Sequence, residues 1–119
     1  MSATRVPGAA NATVAPEKVR DYLLAAEHPD NAGKAAFFSL FGFTSEQWTE
    51  LRLALAAHPA NNVVVGRVPA DDGMRCRVRC NLQTPDGRNP CVTTIWAVEG
   101  GQPPRLITAF PGPDSRPVL

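Results

Sequence analysis

The sequence predicts an α+β fold, two main helices and a short helix followed by a four-stranded antiparallel sheet. Three observations carry it. In the first half, apolar residues return at helical spacing: Val19, Tyr22, Leu23 and Ala26, then Trp48, Leu51 and Leu55. In the second half, Met74, Cys76, Val78, Cys80 and Leu82 alternate strictly with Arg75, Arg77, Arg79 and Asn81. Side chains on a strand change face at every residue, so this is a half-buried strand. The apolar stretches around it are separated by Asp71-Asp72-Gly73, Thr84-Pro85-Asp86-Gly87-Arg88-Asn89 and Glu99-Gly100-Gly101-Gln102, which read as the turns of an antiparallel meander.

The chain has 119 residues, the length of one domain with a modest core. Residues 1–13 are small and polar with no period, and are expected to be loose. The domain proper is placed at residues 14–111. Pro16 suits a first helical turn, the helix spans Glu17 to Glu27, and His28-Pro29 ends it because the residue before proline resists the helical region. Asn31 is placed to cap a short helix to Phe41, with Phe37, Phe38 and Phe41 as core anchors and Gly42 as its left-handed terminator. Thr44 and Gln47 form a capping-box pattern, with Phe43 and Trp48 as its staple, and that helix runs to His58-Pro59. The strands follow: Val63 to Val68, the Met74 strand, one containing Ile95 and Trp96, and Pro104 to Phe110. Residues 112–119 read as a loose tail.

The faces depend on register. A four-residue loop, Pro85 to Arg88, sets Val78 opposite Ile95 and Arg77 opposite Trp96. A two-residue Gly-Gly hairpin then sets Ile95 opposite Leu106 and Trp96 opposite Arg105. Val78, Ile95 and Leu106 thus share the core face, while Arg77, Trp96 and Arg105 share the other. A slip of one residue would reverse this.

Net charge is +1, which does not mark the whole chain as a polyanion binder. The charge is uneven: arginines 67, 75, 77, 79, 88 and 105 fall between Val63 and Phe110, with no lysine among them. Guanidinium favours forked contacts with phosphate or carboxylate, or stacking on an aromatic ring. Three cysteines, with no secretory pattern, point to a reducing cytoplasm. Cys76 and Cys80, four residues apart on one strand, are separated by roughly 13 Å, too far to bridge. With only His28 and His58 to assist, no metal site is expected, and the cysteines read as small core residues. No apolar run is long enough to cross a membrane.

KVRDYLL at Lys18 to Leu24, HPDNAGKAAFF at His28 to Phe38, Gly42-Phe43, LRLALAAH at Leu51 to His58, TPDGR at Thr84 to Arg88 and PRLITAFP at Pro104 to Pro111 together resemble the bacterial domain of unknown function family 6883. More distantly, helices followed by four strands, the last of the form Arg-aliphatic-x-Thr-Ala-aromatic-Pro, are similar to the barnase–EndoU–colicin–RelE superfamily. That resemblance implies a small metal-independent ribonuclease without a cofactor, a toxin restrained by a small acidic antitoxin or immunity protein. The residues matching its last-strand motif are Arg105, Thr108 and Phe110. Many members end that motif in tyrosine; Phe110 departs from it and lacks the hydroxyl.

Metal-free RNA cleavage needs a base for the 2′-hydroxyl, positive charge for the phosphorane and an acid for the leaving oxygen. The candidates are His28 as acid or base, Lys34 and Arg105 on the phosphate, and Thr108 as the motif hydroxyl. Arg75, Arg77, Arg79 and Arg88 would grip the RNA backbone, and Trp96 would stack a base. The other reading is a non-catalytic domain, or a degenerate nuclease, whose Arg/Trp face binds an acidic protein, since both residue types anchor interfaces. Each residue also has a plain role: Arg88 finishing a turn, Arg105 stacking on Trp96, Thr108 satisfied in the core, His28 and His58 at helix ends, Lys34 snorkelling from a helix surface.

Overall fold

The computed structural model describes residues 4–24 and 33–112. Among the described residues, a 3-10 turn (Ala9–Asn11) and three longer helical elements precede the sheet: α1 (Pro16–Lys18), which continues as a π-helical turn over Val19–Leu23, α2 (Lys34–Leu40) and α3 (Trp48–Asn61). Four strands follow, β1 (Val63–Ala70), β2 (Gly73–Asn81), β3 (Cys91–Val98) and β4 (Arg105–Pro111), in the sheet order β1-β2-β3-β4 with every pair antiparallel. The α+β meander expected from the sequence is the architecture found.

Local chemistry sets the helix ends. After α2, Gly42 takes φ 103°, and the amides of Gly42 and Phe43 return to the carbonyls of Ser39 and Phe38 at 3.0 and 3.2 Å. This is the Schellman termination for which glycine is suited. Thr44 Oγ1 does accept from the amide of Gln47 at 3.1 Å, but it closes a turn ahead of α3, which starts at Trp48. The expected stop at His58-Pro59 is not observed, and α3 runs through Pro59 to Asn61. Proline removes only one amide so near the end of a helix. The His58 carbonyl is supplied instead by Asn62 Nδ2 at 3.0 Å, which also reaches the Asn81 carbonyl at 3.1 Å. The Asn31 cap and the end of the first expected helix lie outside the described residues.

The helices α1, α2 and α3 cover one face of the sheet. Val19, Leu23, Phe38, Phe43, Leu51 and Leu55 from the helical half meet Cys76, Val78, Leu82, Val92, Trp96 and Leu106 from the sheet in one buried cluster. Each large apolar side chain contributes about 1.5–3 kcal/mol of burial. Within this core lies one polar chain. Trp96 Nε1 donates to Thr94 Oγ1 at 2.7 Å, Thr94 Oγ1 is 2.8 Å from His58 Nδ1, and His58 Nε2 is 2.7 Å from the Cys80 carbonyl. A carbonyl can only accept, so Nε2 carries the proton and Nδ1 accepts from the threonine hydroxyl. Every polar atom in the chain is thereby satisfied by a neutral imidazole, and burial lowers the His58 pKa.

The register differs from the one read from the turns. Val78 pairs with Thr94, Arg77 with Ile95 and Cys76 with Trp96. Trp96 then pairs with Leu106 and Ile95 with Thr108, Ile107 being the extra residue of a bulge. The loop between β2 and β3 is longer than four residues. Leu82 N bonds the Pro90 carbonyl at 2.9 Å, and Asn89, at φ 49°, places its side-chain oxygen 2.9 Å from the Thr84 amide. That changes the parity of the pairing, so Ile95 and Trp96 exchange faces. Trp96 belongs to the core.

Two further expectations are corrected. Cys80 and Cys91 form a disulfide across the base of that hairpin, and only Cys76 is a free, buried thiol. Spacing along one strand bears on Cys76 and Cys80, whereas the bridge links neighbours on adjacent strands. Residues 4–13, read as loose, are seated against the sheet with Val6 buried. The Thr4 carbonyl takes the Val64 amide at 2.8 Å, and Thr13 exchanges bonds with Pro104 and Leu106 at 2.8 and 3.0 Å. The segment therefore hydrogen-bonds to both edge strands, which would otherwise present open pairing groups at those points.

Because folding holds His58 neutral, unfolding below about pH 6.5 takes up a proton that the folded chain resists. This contribution to stability is whole at pH 7.5 and declines as the pH falls through 6.5 towards 5. Thermal unfolding across that range should show it, and His58→Gln should flatten the slope in that window. The same substitution should cost about 1–3 kcal/mol at pH 7.5, because buried partners lose their bonds.

Candidate functional site

Register aligns three rows across β2, β3 and β4, Arg75–Ala97–Arg105, Arg77–Ile95–Thr108 and Arg79–Thr93–Phe110, which lie on the face away from the helices except at Thr108, whose side chain turns to the helices at the β4 edge. Strand alternation puts an arginine at the head of each row. Beside them the β1–β2 ladder forms a groove of about 350 Å³ lined by Val65, Val68, Arg75, Arg77, Arg79 and Ile95, among others. Val65 and Val68 are 45% and 62% exposed, so this groove is both basic and apolar. Arg79 Nε is buried and has no hydrogen-bond partner among the described residues. Phe110, half-buried, is the aromatic of this face, the place that sequence reasoning gave to Trp96.

The arginines are not equivalent. Arg75 bonds Asp72 at 2.9 Å, and that hydrogen bond leads the causes that hold the Asp72 carboxyl below its ordinary value. Arg105 is an exposed partner of Glu99 at 3.2 Å and of Asp72 at 3.8 Å, at the end of the sheet away from Thr108. Its expected stacking partner Trp96 is buried. Arg88 is on neither face. Its Nε donates to Asp86 at 2.6 Å, its Nη2 to the Leu40 carbonyl at 2.7 Å, and its guanidinium lies 4.5 Å from the centre of the Phe41 ring. It ties the loop between β2 and β3 to the end of α2.

A second cluster forms at the β4 edge. Lys34, the first residue of α2, places Nζ 3.0 Å from Thr108 Oγ1 and 3.1 Å from Tyr22 OH, and 5.0 Å from the centre of the Tyr22 ring. The Thr108 hydroxyl is thus not satisfied within the apolar core as expected, but accepts from an ammonium at its boundary. The bulge at Ile107 lets this edge strand meet the helix. Tyr22, Thr108, Ile107, Glu17, Lys18 and Asp21 line an open cleft of about 540 Å³. Thr108 lines that cleft, and its neighbour in the row, Ile95, lines the arginine groove. Arg77 stands two strand spacings from Thr108, about 10 Å.

Of the residues proposed from sequence, the structure therefore brings Lys34 and Thr108 together and groups Arg75, Arg77 and Arg79. It separates Arg88 and Trp96 from them, and sets Arg105 in the row of Arg75, at the end away from Thr108. His28 lies outside the described residues. His58 is a core residue, about which no catalytic chemistry can be built. Tyr22 was read only as core, and its helical spacing from Val19 concealed that its hydroxyl reaches the edge. Among the described residues no three His, Cys, Asp or Glu side chains converge as metal ligands, and no helix is long and apolar enough to cross a membrane.

The family model described as "Domain of unknown function (DUF6883)" matches residues 5–113. The chain belongs to this family. The DUF6883 domain is also similar to a chain of a solved contact-dependent growth inhibition toxin–immunity protein complex from Klebsiella pneumoniae 342. The TM-score is 0.70 at 18% sequence identity, covering 91% of this chain and 99% of that one. At this identity the likeness is one of fold. No curated protein matches the sequence.

Placement of Trp96 in the core has a direct optical consequence. In a Trp48→Phe variant the remaining tryptophan should emit at short wavelength and resist quenching by iodide in the folded state, becoming quenchable on unfolding. A quenchable Trp96 in the folded chain would restore the register read from the turns.

Proposed function

We propose that this domain is a metal-independent endoribonuclease-like toxin whose reaction centre is the Lys34–Tyr22–Thr108 cluster and whose RNA track is the arginine face. The observation that carries the reading is that Thr108, which with Tyr22 holds the Lys34 ammonium, pairs across the β3–β4 ladder with Ile95, a residue that lines the basic groove. The fold shared with a chain of a toxin–immunity complex supports the toxin part.

In this mechanism Lys34 neutralises the charge that develops on the non-bridging oxygens of the phosphorane. Tyr22 and Thr108 fix its position, so that little reorganisation accompanies the reaction. Arg77 and Arg79 hold the flanking phosphates, with Arg75 at the end of the track, and Phe110 stacks a base where Trp96 had been expected. The proton from the 2′-hydroxyl goes to a base and the leaving oxygen receives one. His28, six residues before Lys34, is the group whose ordinary pKa suits either role. The positive charge this reaction requires is supplied by ammonium and guanidinium groups. RNA as substrate sets the place of action in the cytoplasm, and an acidic antitoxin or immunity protein would restrain the domain by covering the arginines.

A second reading is favoured by Val65 and Val68. Exposed beside the arginines, they make the groove resemble the anchor of a protein interface more than a pure phosphate track. Phe110, lacking the tyrosine hydroxyl, fits such a non-catalytic domain as well. Induced expression without a partner separates the two. The nuclease reading expects growth arrest with discrete fragments of total RNA. Lys34→Met should reduce cleavage by about 100-fold or more while the protein stays folded. Arg77→Ala/Arg79→Ala should weaken RNA binding and lessen its salt dependence. Normal growth and intact RNA from soluble protein would leave the binding domain.

A further inference from the structure

We propose that the Cys80–Cys91 disulfide is a thiol–disulfide exchange site whose state sets how firmly Lys34 is held. The bridge closes the loop between β2 and β3, with a sequence separation of 11. Both cysteines are only partly buried, so a small dithiol can reach them. The loop they close is a clamp on α2. Its Asp86 amide bonds the Phe41 carbonyl at 3.3 Å, and its Arg88 bonds the Leu40 carbonyl at 2.7 Å and lies over the Phe41 ring. Pro85 sits so close to Gly42 that a Cβ there would approach it to 3.0 Å. The helix gripped at this end is seven residues long, and its first residue is Lys34.

So short a helix holds little stability of its own, and its position comes from what grips it. At one end the grip is the hairpin loop. At the other it is the pair of hydroxyls on Lys34 Nζ. Opening the disulfide lets the ends of the loop separate more freely, which weakens the first grip and loads the second.

The exchange itself balances simply. A thiolate of an external dithiol attacks one sulfur of the bridge, the other cysteine leaves as a thiol, and the second thiol of the reagent resolves the mixed disulfide. Cys80 and Cys91 gain two electrons and two protons, and the dithiol is oxidised to its own disulfide. The Cys76 thiol, buried and raised in pKa by burial, takes no part.

The chain supplies its own control, because Lys18 and Lys34 are its only lysines. The full chain, oxidised or reduced with dithiothreitol, is labelled briefly with an amine-reactive succinimidyl ester, and the two sites are quantified by mass spectrometry. Reduction should raise labelling of Lys34 relative to Lys18 by about threefold or more, as expected when a local grip opens. Cys80→Ser/Cys91→Ser should reproduce the change without reductant. Arg88→Ala should raise the ratio with the disulfide intact. An unchanged ratio in chain shown to be reduced, or in Arg88→Ala, would overturn the proposal. So would loss of the near-ultraviolet circular dichroism on reduction, which would mean global unfolding in place of a local brace. The readout does not depend on cleavage of RNA, so it stands or falls separately from the ribonuclease reading.

Discussion

The Thr94 hydroxyl is the point on which the arrangement of the sheet rests. It accepts from the Trp96 indole and meets the His58 imidazole, whose other nitrogen reaches the Cys80 carbonyl. These bonds tie the centre of β3 to α3 and to β2 inside the core. A register shifted by one residue would carry Thr94 and Trp96 to the other face together and leave the buried His58 imidazole without its hydroxyl partner, at a cost of roughly 1–3 kcal/mol. The network therefore selects one register among those that apolar packing alone would tolerate. With Trp96 held inside, the arginines of β2 must point the other way.

From that choice the two sides of the molecule acquire separate tasks. The covered side carries the core and the packed helices. The other side gathers Arg75, Arg77 and Arg79 beside Val65, Val68 and Ile95, with Phe110 at the far end of one row. The contact between the two sides is made at an edge. The bulge at Ile107 brings Thr108 to Lys34, and Tyr22 completes the group from the first helix. Edge strands with irregular pairing are where a sheet can re-aim a side chain at small cost to the ladder.

The devices that hold α2 are equally local. A Schellman termination fixes its end, the loop between β2 and β3 grips that end through Arg88 and Asp86, and a disulfide closes the loop. The N-terminal residues add a second kind of restraint. By bonding to Val64 on one edge and to Leu106 on the other, residues 4–13 tie the two margins of the sheet to one segment. An odd number of cysteines does not bear on the redox compartment here, because two of the three are paired.

The sequence by itself determined the order of elements, the four-stranded meander, the basic face of β2, and the glycine that ends α2. Each of these is a local matter of period, alternation or turn chemistry. It also singled out Lys34 and Thr108, although not their meeting, since 74 residues separate them and nothing periodic links them. Register was left to tertiary structure. It depends on loop parity, which the Asn89 side chain alters, and on a buried network that joins residues from three elements. That is why Trp96 was assigned to the wrong face, why Phe110 and Ile95 were overlooked there, and why the Cys80–Cys91 pair was missed. Side-chain period reports which residues share a strand face; only packing decides which face is covered and which residues of adjacent strands become neighbours.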